Sequence, residues 1–472
     1  MQGWLRKKSF DALDRTDPAH RLKQTLSWPH LIALGVGAIV GTGIYTLIGV
    51  GAGLAGPGVM LSFAIAGTVC VCAALCYAEM ATMIPAAGSA YTYSYTVLGE
   101  TLAWVVGWSL ILEYTVVCAA VAVGWAGHAV EFVHAYHWPI PGSLLAGPAT
   151  PGGLVNLPAV LITFLVAGFL IAGTQESATV NIVLVAIKLA ALAAFVALAL
   201  PAFDRAHFTP FMPYGFSGVA ADGTKIGVMA AASIIFFAFY GFDAVSTAAE
   251  ETRNPGRDLS IGIIGSMVLC IIIYMAVAAA AVGASPPASF AKSAAPLVLV
   301  LDQVHQHAAA QLVAAAAVIA LPTVILAFLY GQSRIFFVMA RDGLLPRSLS
   351  RVNAITGTPV MMTLVTATVA AALAGVFPLG LIAALANAGT LCAFIATIAC
   401  MVVLRIQQPN RPRVFRTPMW PLVALIGIPG CLYLFTTLPN LTIGLFFAWN
   451  ALGLVIYALF SRRSAVLANA VD

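Results

Sequence analysis

Apolar residues along this chain gather into twelve runs: roughly 31–52, 57–84, 99–127, 157–173, 178–200, 227–249, 259–284, 309–338, 359–376, 379–404, 418–437 and 441–461. A helix needs about 20 apolar residues to cross the hydrocarbon core. Backbone in lipid must satisfy its own hydrogen bonds, which selects helices. The short alternating segments of a membrane barrel are missing. The pattern therefore predicts an all-α integral membrane protein with 12 transmembrane helices.

Within the first run the pattern turns odd. "GVGAIVGTGIYTLIGVGAG", residues 35–53, holds seven glycines, with Gly41-Thr42-Gly43 at its middle. Each glycine costs a helix about 1 kcal/mol relative to alanine. One reading is close packing, since Gly37, Gly41 and Gly49 recur at multiples of four and small residues let membrane helices approach. The other is a break at mid-membrane, where bared N–H and C=O groups must line a cavity or bind something.

An internal repeat bears on the choice. Runs 1–5 cover 31–200 and runs 6–10 cover 227–404, blocks of 170 and 178 residues. Five helices is an odd number, so the second block enters from the opposite side, the condition for an inverted-topology repeat. The repeat predicts a matching break in run 6. That run reads "AASIIFFAFYGFDAVSTAAEET", with Gly241 at its centre and Asp243 two residues on. Paired interruptions in corresponding helices point to a transporter site. The organisation expected is a tail over 1–30, a first repeat over 31–200, a second repeat with its preceding outer loop over 201–404, and a linker, two helices and a tail over 405–472.

Charge sets the orientation. Eighteen Lys and Arg fall on the side of the N-terminus, Arg205, Lys225 and Lys292 fall on the other, and Lys188 lies within a span. Such a bias places both termini in the cytoplasm. The chain is 61% hydrophobic and 8% charged, with mean hydropathy +0.98 and net charge +5, whereas a soluble domain is about a quarter charged. The positive charge reports topology rather than nucleic-acid binding, and the basic tail at Arg6–Lys8 is suited to anionic lipid. No cleavable signal peptide is visible. All eight cysteines fall in spans, which suits packing between helices and argues against a disulfide framework or a metal site.

A broken helix presents free N–H groups and a positive dipole end at the start of its second half, which suits a carboxylate. The free carbonyls ending its first half suit an ammonium. Two helices broken side by side describe an α-amino acid, although a small dicarboxylate or a nucleobase uses some of the same groups.

The stretches "LIALGVGAIVGTGIYTLIG", "GPGVMLSFAIAGTVCVCAALCYAEMATMIPAAGSAYTYSYTVLGE", "FFAFYGFDAVSTAAEETRNPGRDLS" and "YGQSRIFFVMARDGLLP" resemble the amino acid–polyamine–organocation superfamily. Within it they are most similar to bacterial relatives of the cationic amino acid transporters. The resemblance spans residues 25–460. It implies a LeuT-type 5+5 inverted repeat with broken helices 1 and 6, alternating access and a bacterial inner-membrane location. It assigns Gly41, Thr42, Gly43 and Ile44 to the carboxylate-binding turn and the Ile39 carbonyl to the amine. Phe237, Ala238 and Tyr240 are assigned to the carbonyl-presenting end of the first half of helix 6; Phe239 is in the same run, and one aromatic of that run closes over the substrate.

Ionisable groups at mid-bilayer are functional candidates by default. Lys188 lies ten residues into run 5, about 15 Å deep, too far for its stem to reach the surface. Taking an ammonium out of water disfavours its charged form, so Lys188 is a candidate proton carrier. In proton-coupled members of the resembled family a helix 5 lysine replaces a sodium ion against helix 1. A fixed structural lysine bridging carbonyls is the alternative. Glu113, about 18 Å deep in run 3, is placed by the resemblance close to the pocket, as an anchor for a cationic side chain or a protonated hydrogen-bonding group. A structural partner for a neighbouring helix is an equal alternative. Gly241 and Asp243 mark the helix 6 break, Asp243 as a cap for the second half-helix. Glu79, Glu250 and Glu251 are expected in surface or gate ion pairs, Pro322 as a kink, and Thr323 as a pocket neighbour.

The expected activity is secondary transport, proton-coupled uptake of small neutral or cationic L-amino acids. An exchanger, or a polyamine or cationic amino acid permease without proton coupling, is the alternative. A channel needs a continuous pore, usually between subunits. Motifs of intramembrane hydrolases and a P-loop are missing, so the chain reads as no enzyme. No cofactor is expected beyond the proton as coupling ion. The partners expected are the amino acid and the lipid bilayer, not nucleic acid, and a monomer suffices for transport.

Overall fold

The computed structural model describes residues 6–8, 24–135, 139–172, 174–221, 223–293, 295–346, 349, 353 and 358–461. Most of the tail over 1–30 and the basic residues Arg15, Arg21, Lys23, Arg347, Arg351, Arg462 and Arg463 lie outside the described residues.

The architecture is helical. In chain order the helices are α1 (Trp28–Ile39), α2 (Ile48–Ala55), α3 (Val59–Met83), α4 (Ser89–Val97), α5 (Glu100–Ala135), α6 (Leu157–Ala172), α7 (Thr174–Ala199), α8 (Val228–Ile235), α9 (Phe242–Thr247), α10 (Pro255–Ala284), α11 (Pro287–Phe290), α12 (Pro296–Gln303), α13 (His307–Ala320), α14 (Pro322–Arg341), α15 (Val360–Val376), α16 (Leu379–Gln407), α17 (Trp420–Thr437) and α18 (Asn440–Ile456). Two antiparallel two-residue ladders lie in loops: β1 (Leu145–Ala146) with β2 (Val155–Asn156), and β3 (Gly218–Val219) with β4 (Lys225–Ile226). Among the described residues nine stretches are long and apolar enough to cross a membrane, and α6 and α15 are shorter apolar helices. The first stretch, Trp28–Met83, runs to 56 residues and is interrupted at Gly56–Gly58, where Gly56 takes φ +61.

Runs 1 and 6 are discontinuous. α1 stops at Ile39, Val40 is extended at ψ 98, and a wide turn over Gly43–Leu47 leads into α2. α8 stops at Ile235, a tight turn covers Phe236–Ala238, and Gly241 takes φ +119 before α9. A side chain rarely tolerates that φ, and glycine does so freely. Run 8 divides into α13 and α14 at Pro322, whose ring removes a helix N–H. The sequence pattern missed α4, a buried helix reading "SAYTYSYTV". Its tyrosines and hydroxyls give no apolar run.

The interrupted segments occupy the centre. α1 packs on α7, α9, α10 and α14, while α2 packs on α8. α5 packs on α14 and α16, which enclose the break from the other side. α18 joins α5 through indoles: Trp108 Nε1 donates to the Trp449 carbonyl and Trp449 Nε1 to the Trp108 carbonyl, each at 2.9 Å, with rings stacked at 4.8 Å.

At the N-terminal face, Thr25 and Leu26 N–H groups donate to the Glu251 carbonyl at 2.9 and 3.0 Å, and Arg253 N–H donates to the Leu26 carbonyl at 2.8 Å. The base of α1 is thus bridged to the end of the α9 segment. Three acidic side chains expected in surface or gate pairs are distributed here. Glu250 pairs with Arg341 at 2.9 Å, partly covered. Glu251 pairs with Arg334 at 2.9 Å, with side chains only 6% and 2% exposed. Glu79 accepts from Arg405 and Arg413 at 2.7 and 3.0 Å. Glu79 and Glu251 are therefore buried rather than on the surface. The linker after α16 folds back over α3 and covers Glu79, while α14 covers Glu251.

Candidate functional site

The two breaks meet. Gly43 packs so tightly on Ala238 that a Cβ there would overlap the Ala238 backbone. Gly241 returns the contact: its Cβ would lie 2.9 Å from the Ala38 carbonyl carbon. Glycine at both positions lets the interrupted backbones touch. Gly41 faces α14, where a Cβ would lie 2.7 Å from Val324 Cγ2.

Polar groups converge on the end of α1. Lys188 Nζ, on α7, donates to the Gly37 carbonyl at 2.9 Å and the Val40 carbonyl at 2.7 Å, and the side chain is fully buried. Tyr274 on α10 donates its hydroxyl to the Ile39 carbonyl at 2.7 Å. Thr323, beside the Pro322 kink, reaches the Gly37 carbonyl at 3.3 Å and the Ala320 carbonyl at 2.7 Å. The carbonyls released where α1 stops thus have partners from α7, α10 and α14. A carbonyl has a second lone pair, so Ile39 retains an acceptor site beside Tyr274.

On the other side of the break, the Ile44 and Tyr45 N–H groups turn back onto the Gly41 carbonyl at 3.1 and 3.2 Å, while the N–H groups ahead of them have no helical turn before them to accept from. The Thr42 hydroxyl beside them is buried without a hydrogen-bond partner, as is that of Thr46. Thr42 packs against Gly124 of α5, whose missing side chain makes room for it. Ile44 is fully buried.

The aromatic run of the second break divides by packing. Phe239 is held between Phe63 and Tyr274, with centroids 5.9 and 5.2 Å away. Phe236 packs edge-on to Phe394 at 5.8 Å. Among the described residues Phe237 meets one ring, that of Tyr240, edge-on at 5.1 Å, and Tyr240 in turn meets Phe328 at 6.3 Å. The Tyr240 hydroxyl is buried without a partner.

Asp243 stands second in α9, which Gly241 opens without a side-chain cap. Its carboxylate accepts from the Gly241 N–H at 3.0 Å and from the Tyr114 hydroxyl at 2.6 Å. Glu113, the neighbour of Tyr114, is fully buried and neither of its oxygens has a hydrogen-bond partner. It lies against Gly389 on α16, near the Thr390 hydroxyl, which itself donates to the Ala386 carbonyl. Glu113 and Gly124 are eleven residues apart on α5, about 16 Å along the axis. Glu113 therefore lies beside Tyr114, the residue that holds Asp243, and away from the turn at Gly41–Ile44. Tyr274 and Tyr114 were not singled out from sequence. A tyrosine in an apolar run reads as one more hydrophobe, and its hydroxyl gains meaning only when a bared carbonyl or a carboxylate is seen opposite it.

The chain matches the amino acid permease family over residues 26–460. It is 42% identical to the branched-chain amino acid permease BcaP of Bacillus subtilis, over 98% of both chains. It is 38% identical to the methylthioribose transporter of the same organism, over 99% of this chain and all of the other. It is 37% identical to the vacuolar cationic amino acid transporter 2 of Arabidopsis thaliana, over 86% of this chain and 64% of the other. With the match running almost end to end, the chain belongs to the amino acid permease family of the amino acid–polyamine–organocation superfamily, a multi-pass membrane transporter and not an enzyme.

Proposed function

We propose that the protein takes up L-amino acids by proton-coupled secondary transport, through alternating access of a twelve-span, 5+5 inverted-repeat scaffold with both termini in the cytoplasm. The observation that carries this reading is the paired interruption at Val40–Thr42 and Phe236–Gly241, packed backbone to backbone. The carboxylate binds the N–H groups and the Thr42 hydroxyl at the Gly41–Ile44 turn. The amine takes the free lone pair of Ile39 and the carbonyls of Phe237 and Ala238. Phe237, the aromatic with the fewest ring partners, closes over the substrate.

Lys188 is the coupling group in this reading. As an ammonium it bridges the Gly37 and Val40 carbonyls and holds the end of α1 in place. As an amine it donates less strongly, and the turn loosens. Charge-assisted hydrogen bonds are roughly twice as strong as neutral ones, so the proton and the shape of the binding turn are linked.

For the side chain, the relative at 42% identity is named for branched-chain amino acids and the plant relatives for cationic ones. Phe237, Tyr240, Phe328 and Val324 form an apolar surround that suits a neutral aliphatic side chain. The unpartnered Glu113 carboxylate is the candidate anchor for a cationic one. The relative named for methylthioribose supports a second reading, a small polar solute without the zwitterion. Labelled leucine uptake into proteoliposomes under an imposed proton gradient, competed with leucine, arginine and methylthioribose, tests both. Lys188→Ala is expected to lose gradient-driven accumulation while a thermal-shift assay still reports leucine binding. Accumulation that stays gradient-dependent in Lys188→Ala refutes the coupling role, and uptake of labelled methylthioribose with no saturable uptake of leucine or arginine refutes the amino acid reading.

A further inference from the structure

The connection between α7 and α8 lies at the membrane face opposite the N-terminal segment and is outside the machinery above. Its side chains are unusual for a loop in water. Phe211, Met212, Tyr214, Phe216 and Val219 are 42, 41, 46, 51 and 69% exposed, five large apolar or aromatic groups within nine residues. Between Ala206 and Ala221 there is no Asp, Glu, Lys or Arg. A contiguous exposed apolar patch marks an interaction surface. Along the chain it follows the exposed apolar residues of α7: Ile182, Val183 and Ile187 are exposed on that helix, Leu200 and Phe203 at its end, and Phe203 stacks on Phe208 at 5.4 Å just before the patch.

We infer that the segment Phe211–Val219 lies in the headgroup–acyl boundary of the adjoining leaflet and ties the far end of α2 to the bilayer surface. Amphipathic aromatic rings settle at this depth, apolar body toward the acyl chains and polar edge toward water. Gly218 and Val219 pair with Ile226 and Lys225, and the Met212, Gly215 and Phe216 carbonyls accept from the Gly215, Val228 and Met229 N–H groups, so much of the segment's backbone has partners at that depth. The other side of the segment rests on the broken helix. Pro213 Cγ lies 2.6 Å from where a Gly56 Cβ would be, and the Phe211 carbonyl and Met212 Cγ lie 3.2 and 3.3 Å from a Gly58 Cβ. Gly227 N–H then donates to the Leu54 carbonyl at 2.8 Å. The bilayer surface and the end of α2 are thereby two faces of one loop, whichever solute is carried.

The test attaches an environment-sensitive fluorophore at Phe216→Cys, with Val219→Cys as a second position and Ala149→Cys in the β1–β2 loop as a water-exposed reference. Of the eight native cysteines seven are buried and Cys392 is half-buried, and the unsubstituted protein gives the labelling background. A single symmetric size-exclusion peak and a melting temperature within a few degrees of the unsubstituted protein first establish that each variant is folded, and the measurements are made in proteoliposomes of zwitterionic phospholipid. Emission at 216 and 219 is expected to be blue-shifted, quenched by headgroup-nitroxide lipid, and several-fold less quenched by aqueous iodide than at 149. Iodide quenching equal to that at 149 overturns the inference. Protection from both iodide and lipid nitroxide also overturns it, since that result means a protein covers the loop.

Discussion

Gly43 and Ala238 touch backbone to backbone, with no room for even a methyl group on Gly43. The contact joins the half of the first interrupted helix that follows its break to the Phe236–Ala238 turn that ends the first half of the second, and the reciprocal contact runs from Gly241 to Ala38. Gly43→Ala must push the two interruptions apart, at a cost of about 1–3 kcal/mol for overpacking. Gly241→Ala adds the strain of a side chain at positive φ, about 1–2 kcal/mol. Both variants are expected to lower the melting temperature in detergent and to reduce the initial uptake rate at least about tenfold, the loss that 1.4 kcal/mol at the binding turn represents. Wild-type uptake in Gly43→Ala refutes the tight junction.

Tyr274→Phe removes the hydroxyl on the Ile39 carbonyl and leaves the ring against Phe63 and Phe239. A neutral hydrogen bond contributes about 0.5–1.5 kcal/mol, so KM is expected to rise about 2- to 10-fold with little change in maximal rate or melting temperature. Concentration-dependent uptake kinetics check this. A fall in maximal rate with KM held places Tyr274 outside the binding turn's support.

Arg334 and Glu251 form a buried pair, with the guanidinium also over the Tyr330 ring at 3.7 Å. Removing one member strands the other, typically costing about 3–5 kcal/mol. Arg334→Met and Glu251→Leu are each expected to destabilise strongly in thermal unfolding, and the double variant to recover part of the loss. A double-mutant cycle showing simple additivity contradicts the pairing.

The clamp between α5 and α18 belongs to the scaffold. A Cβ at Gly453 would overlap the Trp108 ring, and Trp104 Nε1 already donates to the Gly453 carbonyl at 2.8 Å. Gly453→Ala is expected to destabilise by about 1–3 kcal/mol through overpacking. Uptake per folded molecule should stay near wild type, and size-exclusion yield read beside uptake separates the two effects.

Periodicity alone carried the helical class and the positions of most helices, because burying backbone in lipid leaves few alternatives. The interruptions were legible too, since Gly41-Thr42-Gly43 and Gly241 weaken helices where a run should be most apolar. What the sequence hid were pairings across the chain. Nothing near Glu79 foretells Arg405 and Arg413, more than 300 residues away, and they turn an expected surface acid into a buried one. Glu113 shows the same limit. Its depth was readable from the helix rise, but its place against Gly389 and beside the Tyr114–Asp243 bond depends on how α5 packs on α16.

The backbone bridge between Leu26 and Thr252 has a mechanical consequence. The stems of the two interrupted helices are stitched together at the N-terminal face, as two pages are at a spine. A movement that opens that face must carry both stems as one body or first unpick the stitch. The half-helices there are thereby geared to each other without any ligand between them.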